Sequence, residues 1–247
     1  MHKKTIIKVI VNGAKGRMGS ETVKAISDDP ELDLVASLGR QDNLAGAIQS
    51  TRADCVVDLT CPTAVYANTK MIIENNAHPI IGTTGLTPEQ IKECIELCAR
   101  KKLGGLIAPN FSLGAVLMMQ FAKQAAEYFP DVEIIEMHHE KKLDAPSGTA
   151  LKTAELIAEN STLDKTEIHC KESHAGALGA KYQSIPIHSI RLPGLVAHQQ
   201  VMFGGHSETL TIRHDSIHRQ SFMPGILMAC KKTPKLDTLV YGLECIL

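Results

Sequence analysis

A run of branched apolar residues, Ile6-Ile7-Lys8-Val9-Ile10-Val11, leads directly into Asn12-Gly13-Ala14-Lys15-Gly16-Arg17-Met18-Gly19. Few folds accept that order. The run has strand length and is apolar at nearly every position, which suits a parallel strand buried on both faces. The glycines allow a sharp turn, and Gly19, Val23 and Ile26 then fall on one helical stripe. Strand, glycine turn and helix predict a βαβ unit that seats a dinucleotide pyrophosphate on a helix N-terminus. The spacing is G-x-x-G-x-x-G, not the commoner G-x-G-x-x-G. Many strand-to-helix turns carry glycines and hold no ligand, so the residues downstream have to decide.

Those residues repeat the pattern. Leu32–Leu38 reads as a second strand. Its tip, Ser37-Leu38-Gly39-Arg40-Gln41, has no carboxylate before Asp42. An acid at this place bonds the ribose 2′-OH of NAD, whereas an arginine accommodates a 2′-phosphate. Arg40 therefore predicts that NADPH is used at least as well as NADH, although loop arginines are often only solvated. Cys55-Val56-Val57-Asp58-Leu59-Thr60 is the next buried strand, and Cys61-Pro62-Thr63 opens a helix over 62–75. A strand at 79–81 ends in Gly82-Thr83-Thr84-Gly85. A helix at Pro88–Lys101 and a strand over 103–108 complete a doubly wound parallel sheet of Rossmann type.

Ala108-Pro109-Asn110-Phe111-Ser112-Leu113-Gly114 reads as a hinge. A helix reaches 129 with Leu117, Met118, Phe121, Ala125 and Phe129 apolar, and Met118 and Phe121 are expected in the core. A strand over 132–138, a loop over 160–180 and strands at Ile185–Arg191, 197–203 and 207–214 come next, the last two joined at Gly204-Gly205. A terminal helix over 222–231 is expected to return to the first domain. The fold class is thus α/β: a Rossmann-type domain over 1–109 and 220–247, and an α+β substrate-binding and oligomerisation domain over 110–219 with a largely antiparallel mixed sheet.

The stretch Glu136-Met137-His138-His139-Glu140-Lys141-Lys142-Leu143-Asp144-Ala145-Pro146-Ser147-Gly148-Thr149 carries the densest chemistry. If the strand persists, His138 and His139 point to opposite faces. Ser147 is an expected N-cap for a helix over 149–159, with Leu151, Ala154 and Ala158 on one stripe. Helix-start N–H groups beside a lysine suit a carboxylate or phosphate. Proton-transfer groups (His138, His139, Lys142) would then lie beside an anion seat, against the bland alternative of solvated loop residues.

Totals exclude other classes. A net charge of -1 gives no electrostatic reason to expect nucleic acid or a membrane surface, and no run is long and apolar enough to span a bilayer. Aromatics make up 4% and Trp is absent, which argues against base stacking. The first residues lack the apolar core and small-residue cleavage site of a secretory signal. The seven cysteines, at 55, 61, 94, 98, 170, 230 and 245, have no metal-finger spacing and read as buried or half-buried free thiols in a reducing cytoplasm; no metal is expected. Two other classes stay open on the residues alone. A dinucleotide-sensing protein without turnover would need neither His138 nor Lys142. An aldehyde dehydrogenase would need a nucleophilic cysteine, for which Cys61 is the one at a strand's carboxyl end.

The run H-H-x-x-K-x-D-A-P-S-G-T, with Gly13–Gly19, Gly82-Thr83-Thr84-Gly85 and Ala108-Pro109-Asn110-Phe111-Ser112 in their places, resembles the signature of the 4-hydroxy-tetrahydrodipicolinate (dihydrodipicolinate) reductase family over essentially the whole chain. The resemblance implies a cytoplasmic, homotetrameric enzyme of lysine and diaminopimelate biosynthesis that uses NADH or NADPH to reduce a cyclic dicarboxylate with loss of water. It implies His138 as acid/base and Lys142 as proton donor, with His139, Ser147, Gly148 and Thr149 at the substrate. Gly13, Ala14, Lys15, Gly16, Arg17, Met18, Arg40, Gly82, Thr83, Thr84, Ala108, Pro109, Asn110 and Phe111 would hold the dinucleotide. The chain departs from relatives at Glu140, often basic there, at Gly39, often acidic where NADH is favoured, and in its short segment before Ala53.

Overall fold

The computed structural model describes residues 6–161 and 170–247. Residues 1–5, within the stretch expected to lack a secretory signal, and 162–169, within the loop expected over 160–180, lie outside the described residues. The chain divides into two compact units, one of Met1–Leu113 with Arg219–Leu247 and one of Gly114–His218; the sequence alone puts these limits at 109/110 and 219/220.

The first unit begins β1 (Ile7–Asn12), α1 (Arg17–Asp28), β2 (Leu32–Leu38), α2 (Leu44–Thr51), β3 (Cys55–Asp58), α3 (Val65–Glu74), β4 (His78–Ile81), α4 (Pro88–Lys101) and β5 (Gly105–Ile107). Val9, Ile10, Val11, Val56, Val57 and Ile80 are fully buried, as strands sandwiched between helices require. The turn after β1 depends on two glycines. Gly13 has φ +88°, and a Cβ on it would lie 2.4 Å from the Leu59 carbonyl oxygen. A Cβ on Gly19 would lie 2.1 Å from the Gly13 carbonyl oxygen, so α1 packs against its own turn.

Some limits differ from those expected. Pro62 lies in the turn before α3, which starts at Val65. The strand expected over 103–108 is only Gly105–Ile107. Helix α2 has no counterpart among the expected elements because its eight residues include Gly46, Gln49, Ser50 and Thr51, which give little apolar periodicity; it is fixed by Asn43, whose side chain accepts the Gly46 N–H at 3.0 Å. Helix α4 carries a capping box between Thr87 and Gln90, with Pro88 in its first turn. Its Cys94 and Cys98 share the buried face, and burial raises their thiol pKa values to about 11 and about 12.

The second unit holds α5 (Leu113–Ala125) from its second residue onward, β6 (Asp131–His138), α6 (Gly148–Asn160), β7 (Ala180–Tyr182), β8 (Ile185–Arg191), β9 (Ala197–Gly205) and β10 (Glu208–Ser216). Its sheet runs β10-β9-β6-β8-β7, antiparallel except for the β6–β8 pair. Val132, Ile134, Ile187, Val201 and Phe203 are buried on the face that α6 packs against.

Three details of this unit correct the expectations. The buried stripe of α6 is Ala150, Thr153, Ala154 and Ile157, and Leu151 is exposed. Phe121 is exposed while Met118 is core, because the buried face of α5 follows Ala115, Met118, Met119 and Ala122. The β9–β10 turn is His206-Ser207, not Gly204-Gly205, which stay paired with Thr209 and Glu208; Ser207 takes the positive φ of 62°.

The chain then returns to the first unit with α7 (Met223–Lys232) and β11 (Leu239–Tyr241). Helix α7 packs on α1, where the Thr22 hydroxyl donates to the Met223 sulfur at 3.8 Å and Lys231 pairs with Asp29 at 2.7 Å and Glu31 at 2.8 Å. Strand β11 extends the sheet to β11-β5-β4-β3-β1-β2, parallel throughout. Strand order reverses between β1 and β3, and open α/β sheets bind ligands outside the carboxyl ends of their strands at such a point. Cys61, Cys170 and Cys245 are exposed, a correction to the expectation of buried or half-buried thiols.

Candidate active site

The second unit places its chemistry at the carboxyl end of β6. Alternation puts Glu136 and His138 on one face of the strand, and His138 lies opposite Arg191 of β8. Glu136 has no exposed surface. Its Oε2 receives His138 Nδ1 at 2.5 Å and Arg191 Nη1 at 2.9 Å. Its Oε1 receives Arg191 Nη2 at 2.8 Å and the Ser147 N–H at 3.2 Å. Burial acts to raise the Glu136 pKa, but hydrogen bonds from His138, Arg191 and Ser189 outweigh it and bring the value down to about 2. Glu136 is therefore an anion at neutral pH.

The turn after β6 brings the remaining groups close along the chain. The Lys142 N–H donates to the His139 carbonyl at 3.1 Å, folding the segment back. Lys142 Nζ lies 2.8 and 2.9 Å from the two Asp144 oxygens, and that ion pair, foremost among its causes, lowers the Asp144 pKa. Arg191 Nη2 also donates to the Asp144 carbonyl at 2.7 Å. Ser147 caps α6, its hydroxyl accepting the Ala150 N–H at 3.2 Å. Gly148 is exposed, and nothing lies within 4 Å of where its Cβ would be, so a ligand can approach the helix start. His139 is half-buried and falls after the last residue of β6. His138, His139, Lys142, Ser147, Gly148 and Thr149 thus lie on or beside one short connection.

The first unit gathers its candidate residues where β1, β3 and β4 end. Helix α1 starts from Gly16 with no side-chain cap, leaving its first N–H groups for an anion. The Lys15 stem passes 3.7 Å from where a Gly39 Cβ would be, and the Asp42 carboxylate accepts the Gly39 N–H at 2.7 Å. Arg40 is exposed beside this turn. Its charge is the smallest of several influences that lower the pKa of the Cys61 thiol, led by the hydrogen bond with Thr63 at 3.3 Å. A Cβ on Gly82 would lie 2.7 Å from the Phe111 ring, so the β4 exit and the 108–111 segment pack together. Within that segment the Asn110 side chain accepts the Ser112 N–H at 2.8 Å.

Beneath these residues lies a second buried carboxylate, Asp58, fully enclosed at the end of β3. Asn12 and Asn68 donate amide hydrogens to its Oδ2, each at 2.9 Å, and the Thr60 and Thr83 hydroxyls donate to Oδ1 at 2.7 and 2.8 Å. Asp58, Glu136 and Arg191 are not among the site residues expected from the sequence. A signal for Glu136 is present all the same, since it stands two residues before His138 in a strand and must share its face. Arg191 lies 55 positions from Glu136 and has no local signal.

The chain as a whole resembles known proteins. Residues 7–111 match the sequence model of the dihydrodipicolinate reductase N-terminus and residues 114–247 that of the dihydrodipicolinate reductase C-terminus. A 4-hydroxy-tetrahydrodipicolinate reductase of Coxiella burnetii (strain RSA 493 / Nine Mile phase I) is 56% identical over 241 residues, covering 98% of this chain and 99% of the relative. One of Legionella pneumophila (strain Paris) is 54% identical over 240 residues, covering 97% and 99%. Among solved structures, a dipicolinate-bound dihydrodipicolinate reductase from Paenisporosarcina sp. TG-14 superposes with a TM-score of 0.93 at 46% identity, covering 98% of this chain and 100% of that one. Two family matches that together span nearly every residue, and relatives above half identity over their whole length, bear out the resemblance read from the sequence: the chain belongs to the dihydrodipicolinate reductase family.

Proposed function

We propose that this chain reduces 4-hydroxy-tetrahydrodipicolinate to tetrahydrodipicolinate with loss of water, in lysine and diaminopimelate biosynthesis, and that His138 and Lys142 carry its proton transfers. The reaction follows from family membership and the curated relatives. The observation that carries the residue roles is the β6–α6 connection, which gathers a histidine, a lysine and an accessible helix start within a few residues of one another. The reduced nicotinamide, when bound, supplies the hydride. Loss of water removes the ring hydroxyl together with a ring proton, and the negative charge left on the ring after hydride transfer is quenched by a proton from Lys142, which also anchors a substrate carboxylate. The second carboxylate sits at the start of α6, on Ser147, Gly148 and Thr149, with His139 beside it. His138 exchanges protons through Nε2, because Nδ1 is taken by Glu136.

The dinucleotide is assigned to Gly13, Ala14, Lys15, Gly16, Arg17, Met18, Arg40, Gly82, Thr83, Thr84, Ala108, Pro109, Asn110 and Phe111. The residues fit that ligand: the uncapped α1 start follows a glycine turn at the reversal of strand order. Lys15 and Arg40 flank Gly39, where no acid competes for a ribose hydroxyl, which favours NADPH at least as much as NADH. The assembly is a cytoplasmic homotetramer joined through the second sheet's face opposite α6, where Ile135, Met137, Ile190 and Met202 add apolar surface.

The test is steady-state NADPH oxidation by Lys142→Ala. Loss of a proton donor lowers kcat by roughly 10²-fold or more and also raises the substrate KM. A rise in KM alone would leave Lys142 as an anchor and remove it from proton transfer.

A further inference from the structure

We propose that Glu136 is the positioning residue of the substrate site: one buried anion that fixes the tautomer of His138 and ties that ring, through Arg191 and Ser147, to both the lysine-bearing turn and the start of α6. The proposal rests on the reading of His138 as the acid/base group. Glu136 does not reach solvent, and its ionised carboxylate can only accept hydrogen bonds. At 2.5 Å from His138 Nδ1, it therefore requires a hydrogen on that nitrogen. The basic lone pair of the neutral ring is then confined to Nε2, and a proton gained there creates an imidazolium whose charge faces the carboxylate. This is the role a buried acid plays behind a catalytic histidine, holding tautomer and orientation without itself taking the proton.

The same carboxylate reaches further. Its Oε1 holds the Ser147 N–H, which sets where α6 begins and hence where Gly148 stands. Arg191 spans both oxygens and passes the constraint to the Asp144 carbonyl, while the Asp144 carboxylate holds Lys142. Displacing Glu136 thus disturbs the histidine, the lysine turn and the helix start together, although none of its atoms is placed to meet substrate.

The experiment uses the full chain with ring-¹⁵N-labelled histidine, and dipicolinate as the binding probe. Wild type, followed up an alkaline pH series until the ring shifts stop moving, is expected to show His138 as the Nδ1–H tautomer. Glu136→Gln is expected to lose roughly 10²-fold in kcat, to show a mixed or Nε2–H tautomer, and to bind dipicolinate several-fold more weakly. Glu136→Asp, which keeps the charge, recovers part of the rate and the Nδ1–H form. Two controls separate the ideas. If His138→Gln keeps the wild-type kcat, the acid/base reading fails. If His138→Gln is impaired but Glu136→Gln keeps both kcat and the Nδ1–H tautomer, the positioning proposal alone is overturned. Should Glu136→Gln not fold, the wild-type spectrum still decides, because an Nε2–H tautomer there contradicts the proposal.

Discussion

Among the described residues, each unit encloses one carboxylate toward the carboxyl end of a central strand, yet the two are satisfied differently. Asp58 is met by neutral donors: two asparagine amides and two threonine hydroxyls. Glu136 is met by a guanidinium and a histidine ring, with one backbone N–H and a hydrogen bond from Ser189. Neutral donors spread around Asp58 join the ends of β1, β3 and β4 to α3, and hold a scaffold beneath the residues assigned to the dinucleotide. The guanidinium and the titratable ring around Glu136 make a network whose geometry and charge both depend on ionisation. On the reading proposed above, the acid met only by amides and hydroxyls is a strut, whereas the one facing a titratable ring takes part in the chemistry of its neighbour.

The contrast is open to measurement. The largest effect is expected from Arg191→Met, which leaves the Glu136 anion buried without its guanidinium. Breaking one side of a buried ion pair costs about 3–5 kcal/mol, so hydrogen exchange should show β6 amides losing protection while β3 amides keep theirs. Equal loss in both strands would erase the distinction between the units.

Acid comes next. Glu136 has its pKa depressed on folding from the ordinary 4.5 to about 2. A depressed carboxylate stabilises the folded state fully above its unfolded pKa, and that stabilisation is lost as pH falls from about 4.5 toward about 2. The loss is on the order of 3 kcal/mol and should appear in the protection of β6 amides. A flat response of β6 across that window would refute it.

Asp58→Asn is expected to cost less, about 1–2 kcal/mol. Its amide turns donors toward donors, but the Thr60 and Thr83 hydroxyls can rotate to accept. Protection in β3 is the readout. A loss as large as that of Arg191→Met would mean that Asp58 is not merely a neutral-donor strut. The smallest effect lies at the exposed rim of the first unit. Arg40→Ala should weaken NADPH about tenfold, roughly 1.4 kcal/mol, and leave NADH nearly unchanged. Equal weakening of both would remove Arg40 from 2′-phosphate recognition.

How much of the molecule is legible in its sequence depends on the range of each interaction. The strands β1, β2, β3 and β4 announce themselves by apolar composition, and the glycine turn by its position between strand and helix. Helix α2 and strands β7 and β11 are invisible there: α2 is short and polar in its second half, and the two strands have three residues each and take their place from pairing partners. The exposed Phe121 and Leu151 are misplaced because a helical pattern gives a stripe's period before its phase, which only the packed neighbour fixes. The Glu136–His138 relation comes from strand alternation alone. The Arg191 contact needs the parallel pairing of β6 with β8, a long-range fact that no local motif carries.

The continuity of the stretch from Glu136 to Thr149 has a consequence for how such a chain can change over generations. The groups assigned to proton transfer and carboxylate binding are inherited as one uninterrupted block, whereas those assigned to the dinucleotide are scattered over the exits of many strands. On these assignments, coenzyme choice can drift by isolated replacements at places such as Gly39 and Arg40, while a single insertion within the block would disrupt the histidine, the lysine and the helix start at one stroke.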